Sequence, residues 1–306
     1  MPLTLPQLSR RAFLKRAALI ATAAAVAPQS HAELFGLFGK DRDKHTVAFF
    51  SDTHIAADTS SVHGGVNMAD NLAGCIRELA SRPVRPAAVI FNGDLSLTNG
   101  RPEDYATFGN LLTSVRALAP VHLSLGNHDD RENFWKAFPH DAARPDSVPN
   151  KQASIFATER ANWFLLDSLD VTAQTPGEVG SAQLDWLDLE LAKRNEKPAL
   201  VVCHHPLDVT GLLGLRDSLV LEQLLMHHRH VKAFIFGHTH DWSVTQHPSG
   251  VHLINLPQTA YPFIAGRPSG WVRATLATDG MEIELRCLDP HHPEHAQVKT
   301  LQWRPT

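Results

Sequence analysis

The sequence of 306 residues is poor in cysteine, with only Cys75, Cys203 and Cys287. So sparse and odd-numbered a set cannot staple the chain with a disulfide framework, although a single bridge is compatible with it. The intervals match no zinc-finger spacing, so thiolate-held zinc is excluded as the organising device. Cys203 lies in an apolar run and Cys75 in a helical pattern, which marks both as small core residues. Positive charge is also short. The formal net charge is −4, and four of the 28 basic residues (Arg10, Arg11, Lys15, Arg16) lie in the first 32 positions, leaving 24 against 32 acids, or −8, beyond them. That balance disfavours a nucleic-acid polymer or an anionic membrane as partner, although bound metal cations can still draw phosphate to one spot. No apolar run reaches the roughly 20 residues of a membrane span. Internal repeats, low-complexity tracts and a dividing linker are absent too. What is present is 43% hydrophobic residues, ample for a buried core.

The first 32 residues follow their own logic. Ser9-Arg10-Arg11-Ala12-Phe13-Leu14-Lys15 precedes an uncharged stretch, Ala17 to Ala27, and then Ser30-His31-Ala32. This resembles a twin-arginine export signal cleaved after Ala32, so the expected partners include the twin-arginine machinery and the expected location is periplasmic or otherwise exported, with no stable membrane anchor. That route passes folded proteins, which suits an enzyme that loads metals before leaving the cytoplasm. Residues 33–44 read as a tether, 45–289 as one domain and 290–306 as a polar tail.

Within the domain, strand-like runs alternate with helical patterns over Asn67 to Ser81, Pro102 to Leu118, Arg131 to Phe138, Ala182 to Arg194 and Ser218 to His228. Such alternation predicts βαβ units. Two stretches break it: Lys151 to Ser168 reads as two successive strands, and Trp242 to Leu288 as strands only, with a hairpin signal at Thr278-Asp279-Gly280. A chain that begins α/β and ends antiparallel predicts an α/β fold, a four-layer α-β-β-α sandwich of two mixed β-sheets flanked by helices.

Five short motifs carry the chemistry: Ser51-Asp52-Thr53-His54, Asn92-Gly93-Asp94, Gly126-Asn127-His128-Asp129, His204-His205-Pro206 and Gly237-His238-Thr239-His240. Each follows an apolar, β-branched run of strand length, so the polar side chains lie just past strand carboxyl ends, where open α/β sheets build their sites. Asp52 and His54 stand two apart and so project together from an extended segment, as do His238 and His240. Gly93 lets the backbone turn so that Asp94 can bridge two ions. Asn127 adds an amide oxygen and His204 an imidazole. Oxygen and nitrogen donors without thiolate favour Fe, Mn, Zn or Co over Ca or Mg. Two such ions roughly 3.5 to 4 Å apart can hold a bridging water, lower its pKa towards about 7 and clamp an in-line displacement at phosphorus. His128, beside Asn127 yet not needed as a ligand, is the natural proton donor to a leaving alkoxide, with Asp129 placed to orient it.

All five motifs, in this order, resemble the calcineurin-like metallophosphoesterases over roughly Thr46 to Leu288. The likeness runs to the class III cyclic-nucleotide phosphodiesterase and glycerophosphodiesterase branch through Gly93-Asp94-Leu95-Ser96, Gly100-Arg101-Pro102-Glu103-Asp104-Tyr105 and Gly126-Asn127-His128-Asp129-Asp130-Arg131. The resemblance implies Asp52, His54, Asp94 and His240 on one metal, and Asp94, Asn127, His204 and His238 on the other. It also implies a hydroxide between the metals as nucleophile, His128 as proton donor, and His205 turned away from direct ligation. Asn92 before Gly93, and Leu207 where relatives carry a second proline, depart from the pattern; neither position is a ligand, so the departures bear on the substrate and not on the metal centre. Tyr261 and Phe263, with His205, are candidates for the substrate pocket, where a ring can stack on a base or sugar; core packing or a homodimer contact is the competing role for the two aromatics.

The function expected is hydrolysis of a small phosphate ester, most simply a diester. A metal-dependent nuclease is the catalytic alternative, opposed by the −8 charge of residues 33–306; a periplasmic binding protein on the same fold is the non-catalytic one.

Overall fold

Strand β1, Arg42–Ser51, alternates its side chains between two layers. Val47 and Phe49 enter one apolar cluster and Ala48 and Phe50 another, as the two-residue period of a strand requires. The computed structural model describes residues 42–141, 148–208, 210 and 212–306. The expected export signal at 1–32 and residues 33–41 of the expected tether lie outside the described residues. Residues 42–44 belong to β1, where Arg42 already pairs with Arg85.

A short hairpin, β2 (Val62–His63) and β3 (Val66–Asn67), leads into helix α1, Met68–Ser81. Asn67 caps α1 by accepting from the Asp70 amide at 3.0 Å. There follow β4 (Arg85–Asn92), α2 (Pro102–Arg116), β5 (Val121–Ser124), α3 (Arg131–Ala137), β6 (Ser154–Ala157), β7 (Asn162–Leu165), α4 (Ser181–Lys193), β8 (Ala199–Val202), α5 (Ser218–His227) and β9 (Val231–Phe236). The last third is β10 (Ser243–Gln246), β11 (His252–Asn255), β12 (Gly270–Leu276), β13 (Gly280–Cys287) and β14 (Val298–Gln302). Pro102 opens α2 at a position where its missing N–H costs nothing, and Asp130 caps α3 through the Asn133 amide at 2.8 Å.

Two six-stranded sheets form, in the orders β14-β13-β12-β1-β4-β5 and β10-β11-β9-β8-β7-β6. Both are mixed: β1, β4 and β5 run parallel, as do β7, β8, β9 and β11, while the remaining neighbours are antiparallel. Their facing sides share one core that includes Phe49, Ile90, Trp163, Val202, Ile235 and Val272. Leu72 and Ile76 of α1 and Phe108 and Leu112 of α2 cover the outer face of the first sheet; Leu187 and Leu191 of α4 and Leu221 and Leu225 of α5 cover that of the second. The result is the expected α-β-β-α sandwich. Cys75, Cys203 and Cys287 are buried free thiols. Among the described residues no helix is long and apolar enough to cross a membrane.

The carboxyl end departs from the expected polar tail. Val298–Gln302 pairs with β13 as an edge strand, and Leu301 reaches the core between the sheets. Beyond it the buried Arg304 donates to the carbonyls of Val231 (2.9 Å), Leu225 (2.9 Å) and His228 (2.7 Å), closing the end of α5. Alternation of one apolar residue among polar ones is a weak signal, which is why this strand does not stand out in the sequence.

Candidate metal centre

The five motifs sit at the carboxyl ends of β1, β4, β5, β8 and β9, the first three in one sheet and the last two in the other. Backbone hydrogen bonds bring those ends together: His54 N–H to Asp94 C=O (2.9 Å), Gly237 N–H to His204 C=O (2.9 Å) and Thr259 N–H to Ser51 C=O (2.8 Å). Asn92 joins the sheets directly, its Nδ2 donating to the Cys203 carbonyl at 3.1 Å.

Two clusters result, Asp52 with His54 and His240, all buried, and buried Asp94 and His204 with half-buried His238, and in each the donor atoms lie within 4.8 Å of one another. Asp52, His54, Asp94, His238 and His240 all have φ between +47° and +68°, the left-handed region that non-glycine residues rarely enter. Strain of this kind concentrates where a fold must aim side chains at a fixed point. Glycines supply the remaining room. A Cβ on Gly126 would stand 2.2 Å from Asp94 Oδ1 and 2.7 Å from His204 Nε2, and one on Gly237 would stand 2.6 Å from Asp52 Oδ2.

The hydrogen bonds behind the clusters decide which nitrogens point inward. A carbonyl can only accept, so Nδ1–H of His54 donates to Leu97 C=O (3.0 Å), that of His240 to Tyr261 C=O (2.5 Å) and that of His204 to Asn92 C=O (3.0 Å). His54 and His240 therefore turn their Nε2 atoms on each other, 3.0 Å apart. Two imidazole nitrogens at that distance need a cation to share, a proton or a metal ion. Asn127 Oδ1 is buried without a hydrogen-bond partner, a second donor atom awaiting an electrophile. Asp52 is held ready by the Ser51 hydroxyl (2.5 Å) and the His238 amide (3.1 Å), and Asp94 by the His128 amide (2.8 Å).

Electrostatics agree. Burial would depress His204, but the Asp94 and Asp52 carboxylates outweigh it and raise its pKa to about 10, so this spot favours positive charge. Burial would raise Asp94, but His204 and His54 hold it well below the usual carboxylate range. Burial lowers His54 and His238 to about 4, keeping both neutral and able to coordinate. The donor set thus fits two transition-metal ions: Asp52, His54 and His240 converge on one position, Asp94, His204 and His238 on another, with Asn127 buried at the end of the β5 motif.

The other candidates separate. His128 lies at the mouth, half-buried, its ring edge-on to His54 at 5.1 Å and its Nδ1 bonded to the Thr98 carbonyl at 2.8 Å. Thr98, not Asp129, orients it. The Asp129 carboxylate points away and accepts from the amides of Gly126 (2.9 Å), Leu95 (3.2 Å) and Ser96 (3.2 Å) and from the Tyr105 hydroxyl (3.0 Å). Burial and the adjacent Asp94 push Asp129 up to about 7 despite these donors. Asn127 and His128 form a tight turn closed by Asp129 N–H to Gly126 C=O (3.2 Å), so neighbours in sequence diverge and proximity along the chain misplaces Asp129. His205 is fully buried, bonded to Ser168 Oγ at 2.8 Å and packed behind His238 with ring centroids 4.7 Å apart. It cannot line a pocket; only Tyr261 and Phe263 of that group reach the mouth. His63 in the β2–β3 hairpin, 5.5 Å from Tyr261, is a rim residue that no motif signals.

A sequence profile of the calcineurin-like phosphoesterase family matches residues 45–242. Over 227 residues, 72% of each chain, the protein is 31% identical to a probable cyclic nucleotide phosphodiesterase of Rhodococcus erythropolis. Over 221 residues it is 25% identical to the glycerophosphodiester phosphodiesterase GpdQ of Enterobacter lignolyticus, covering 70% of this chain and 77% of that one. In fold it is similar to a dimetal phosphatase from Danio rerio, with a TM-score of 0.66 and 17% identity over 85% of this chain and 99% of that one. With its paired ligand clusters at the joined ends of two sheets, the chain belongs to the calcineurin-like phosphoesterase family and is a metal-dependent hydrolase of phosphoric esters.

Proposed function

We propose that the protein is an exported phosphodiesterase of small esters, working with two ions drawn from iron, manganese, zinc and cobalt. The observation that carries the reading is the pair of inward-facing Nε2 atoms on His54 and His240, set beside a second carboxylate–imidazole cluster. Asp52, His54, Asp94 and His240 would hold one ion, and Asp94, Asn127, His204 and His238 the other. Bound there, the ions supply Lewis acidity at phosphorus and lower the pKa of a water.

The chain's own groups do the rest. His128 is fixed through Nδ1 to the Thr98 carbonyl, which leaves Nε2 free to carry a proton to the leaving oxygen. The Asp129 carboxylate ties the loop of Gly126 to that of Leu95 and Ser96, so Asn127 and Asp94 keep their spacing. Cationic side chains flanking the motifs are engaged elsewhere: Arg131 by Asp167 (2.6 Å), Lys151 by three backbone carbonyls and Arg267 by Asp241 (3.4 Å). This suits a singly charged diester better than a monoester dianion, as do the names of the two sequence relatives. Export rests on the Arg10-Arg11 signal, and Arg10→Lys with Arg11→Lys should leave the protein in the cytoplasm.

The test is turnover of bis(4-nitrophenyl) phosphate with manganese, alongside metal analysis. Asp94→Ala and Asn127→Ala should abolish turnover and lower metal content, whereas His128→Ala should lose turnover and keep its metals. Unchanged turnover in Asn127→Ala would overturn the assignment.

A further inference from the structure

The rim of the metal centre is asymmetric. On the side of His54 and His240 it is built by the segment after β11, which is held at both ends: Ala260 N–H donates to Asp52 C=O (3.1 Å), Asn71 Nδ2 to Ala260 C=O (3.0 Å), and Gln258 Nε2 to Pro268 C=O (3.0 Å). Tyr261 packs within 5.2 Å of His240 and 5.5 Å of His54, measured between ring centroids. Behind it the β2–β3 hairpin comes so close that a Cβ on Gly64 would stand 2.9 Å from Tyr261 Cβ. On this frame Phe263 lies flat on the His240 ring, centroids 3.8 Å apart and planes 5° apart, yet remains 65% exposed. Its neighbour Ile264 is 61% exposed.

A phenyl ring held this way is neither core nor loose surface. One face is spent on His240, whose own plane is fixed by its bond to the Tyr261 carbonyl, so the ring is oriented relative to the reacting centre. The other face is open beside it. Such a shelf takes a planar group, and base–aromatic stacking is a strong, sequence-tolerant contact of this type.

We infer that Phe263 is a specificity residue that stacks the planar organic group of the ester, so that the preferred diesters carry a nucleobase or aryl group instead of a glycerol. This rests on the phosphodiesterase reading above, and the experiment separates the two. Wild type, Phe263→Ala and Phe263→Trp are compared on 3′,5′-cyclic AMP and on sn-glycero-3-phosphoethanolamine, and the dissociation constant of AMP is measured by calorimetry on the metal-loaded protein. Phe263→Ala should lower the kcat/KM ratio of the cyclic nucleotide over the glycerol diester by about 5- to 100-fold, mainly through KM, and weaken AMP by a similar factor; Phe263→Trp should restore both. An unchanged ratio with unchanged AMP affinity overturns the shelf. So does a shift of Phe263→Ala from dimer to monomer in sedimentation without a change in ratio, which would make the ring a contact between copies. If wild type turns over neither diester, the phosphodiesterase reading fails, while the AMP comparison still decides the shelf.

Discussion

Replacing Gly126 by alanine isolates how closely the metal-ligand loops approach one another. Gly126 does not occupy the left-handed region, so alanine brings no backbone penalty there, and the effect is steric. The new Cβ would stand 2.2 Å from Asp94 Oδ1, 2.6 Å from the Asp94 amide nitrogen and 2.7 Å from His204 Nε2, whereas real Cβ contacts essentially never fall below 3.0 Å. Asp94 must therefore move by about 1 Å, and because its backbone is struck as well as its carboxylate, a rotamer change cannot relieve the clash. Overpacking of this kind costs about 1–3 kcal/mol of folding stability. The larger consequence is for metal, since Asp94 is the ligand expected to serve both ions. Disturbing groups that merely orient ligands costs 10- to 100-fold in affinity, so Gly126→Ala should weaken binding at least that much, about 1.4–2.8 kcal/mol. Metal content after dialysis against graded chelator, with urea unfolding of the metal-free form, measures the two effects separately. Gly74→Ala, whose Cβ would come 3.2 Å from the tip of Leu288, is the control. A Gly126→Ala protein that held two metals as tightly as wild type would refute the reasoning.

The same structure sets other outcomes. Arg304→Ala removes a donor from each of the carbonyls of Leu225, His228 and Val231, although His228 C=O keeps the Val231 amide at 2.9 Å, so urea unfolding should show a loss of about 1–3 kcal/mol; a loss below about 0.5 kcal/mol would show the tail to be ornamental. Burial lowers His122, stacked on Phe156 at 3.6 Å, to about 4, against the opposing pull of Asp141. The unfolded chain then binds more protons between pH 6.5 and about 4, so stability falls as pH drops through that window, and His122→Phe should lose about 1–2 kcal/mol less than wild type between pH 7 and 4.5, measured with chelator present. Equal losses would contradict the assignment. Asp129→Ala should weaken metal retention about 10- to 100-fold whereas His128→Ala should not, because one ties ligand loops together and the other faces the mouth; chelator titration distinguishes them.

Much of this was legible because the ligands are side chains of recognisable chemistry placed after strand-like runs. The groups that aim them were not legible, for a physical reason: the acceptors for His54, His204, His240 and His128 are the carbonyls of Leu97, Asn92, Tyr261 and Thr98, and every residue has a carbonyl. Only the fold says which one is used. Asp129 and His205 show the converse, since their types suggest chemistry while their burial assigns them to holding loops and packing behind ligands.

Asn92 joins both cases. As a departure from the family pattern at a position that is not a ligand, it gives no sign of a role in the metal centre from the sequence, yet its buried side chain donates across to the Cys203 carbonyl and accepts from the Ser124 hydroxyl (3.1 Å), while its own carbonyl fixes His204. The two ligand clusters each draw residues from both sheets, so their geometry depends on how firmly the sheet ends are joined. Five ligand-set residues in the left-handed region oppose that geometry, at about 1 kcal/mol each. Asn92→Ala should therefore loosen the centre more than the fold. The core between the sheets would persist, while the join that offsets the strain weakens, and metal affinity should fall further than unfolding free energy measured on the metal-free protein. A variant losing equal amounts of both would show that Asn92 serves the fold alone.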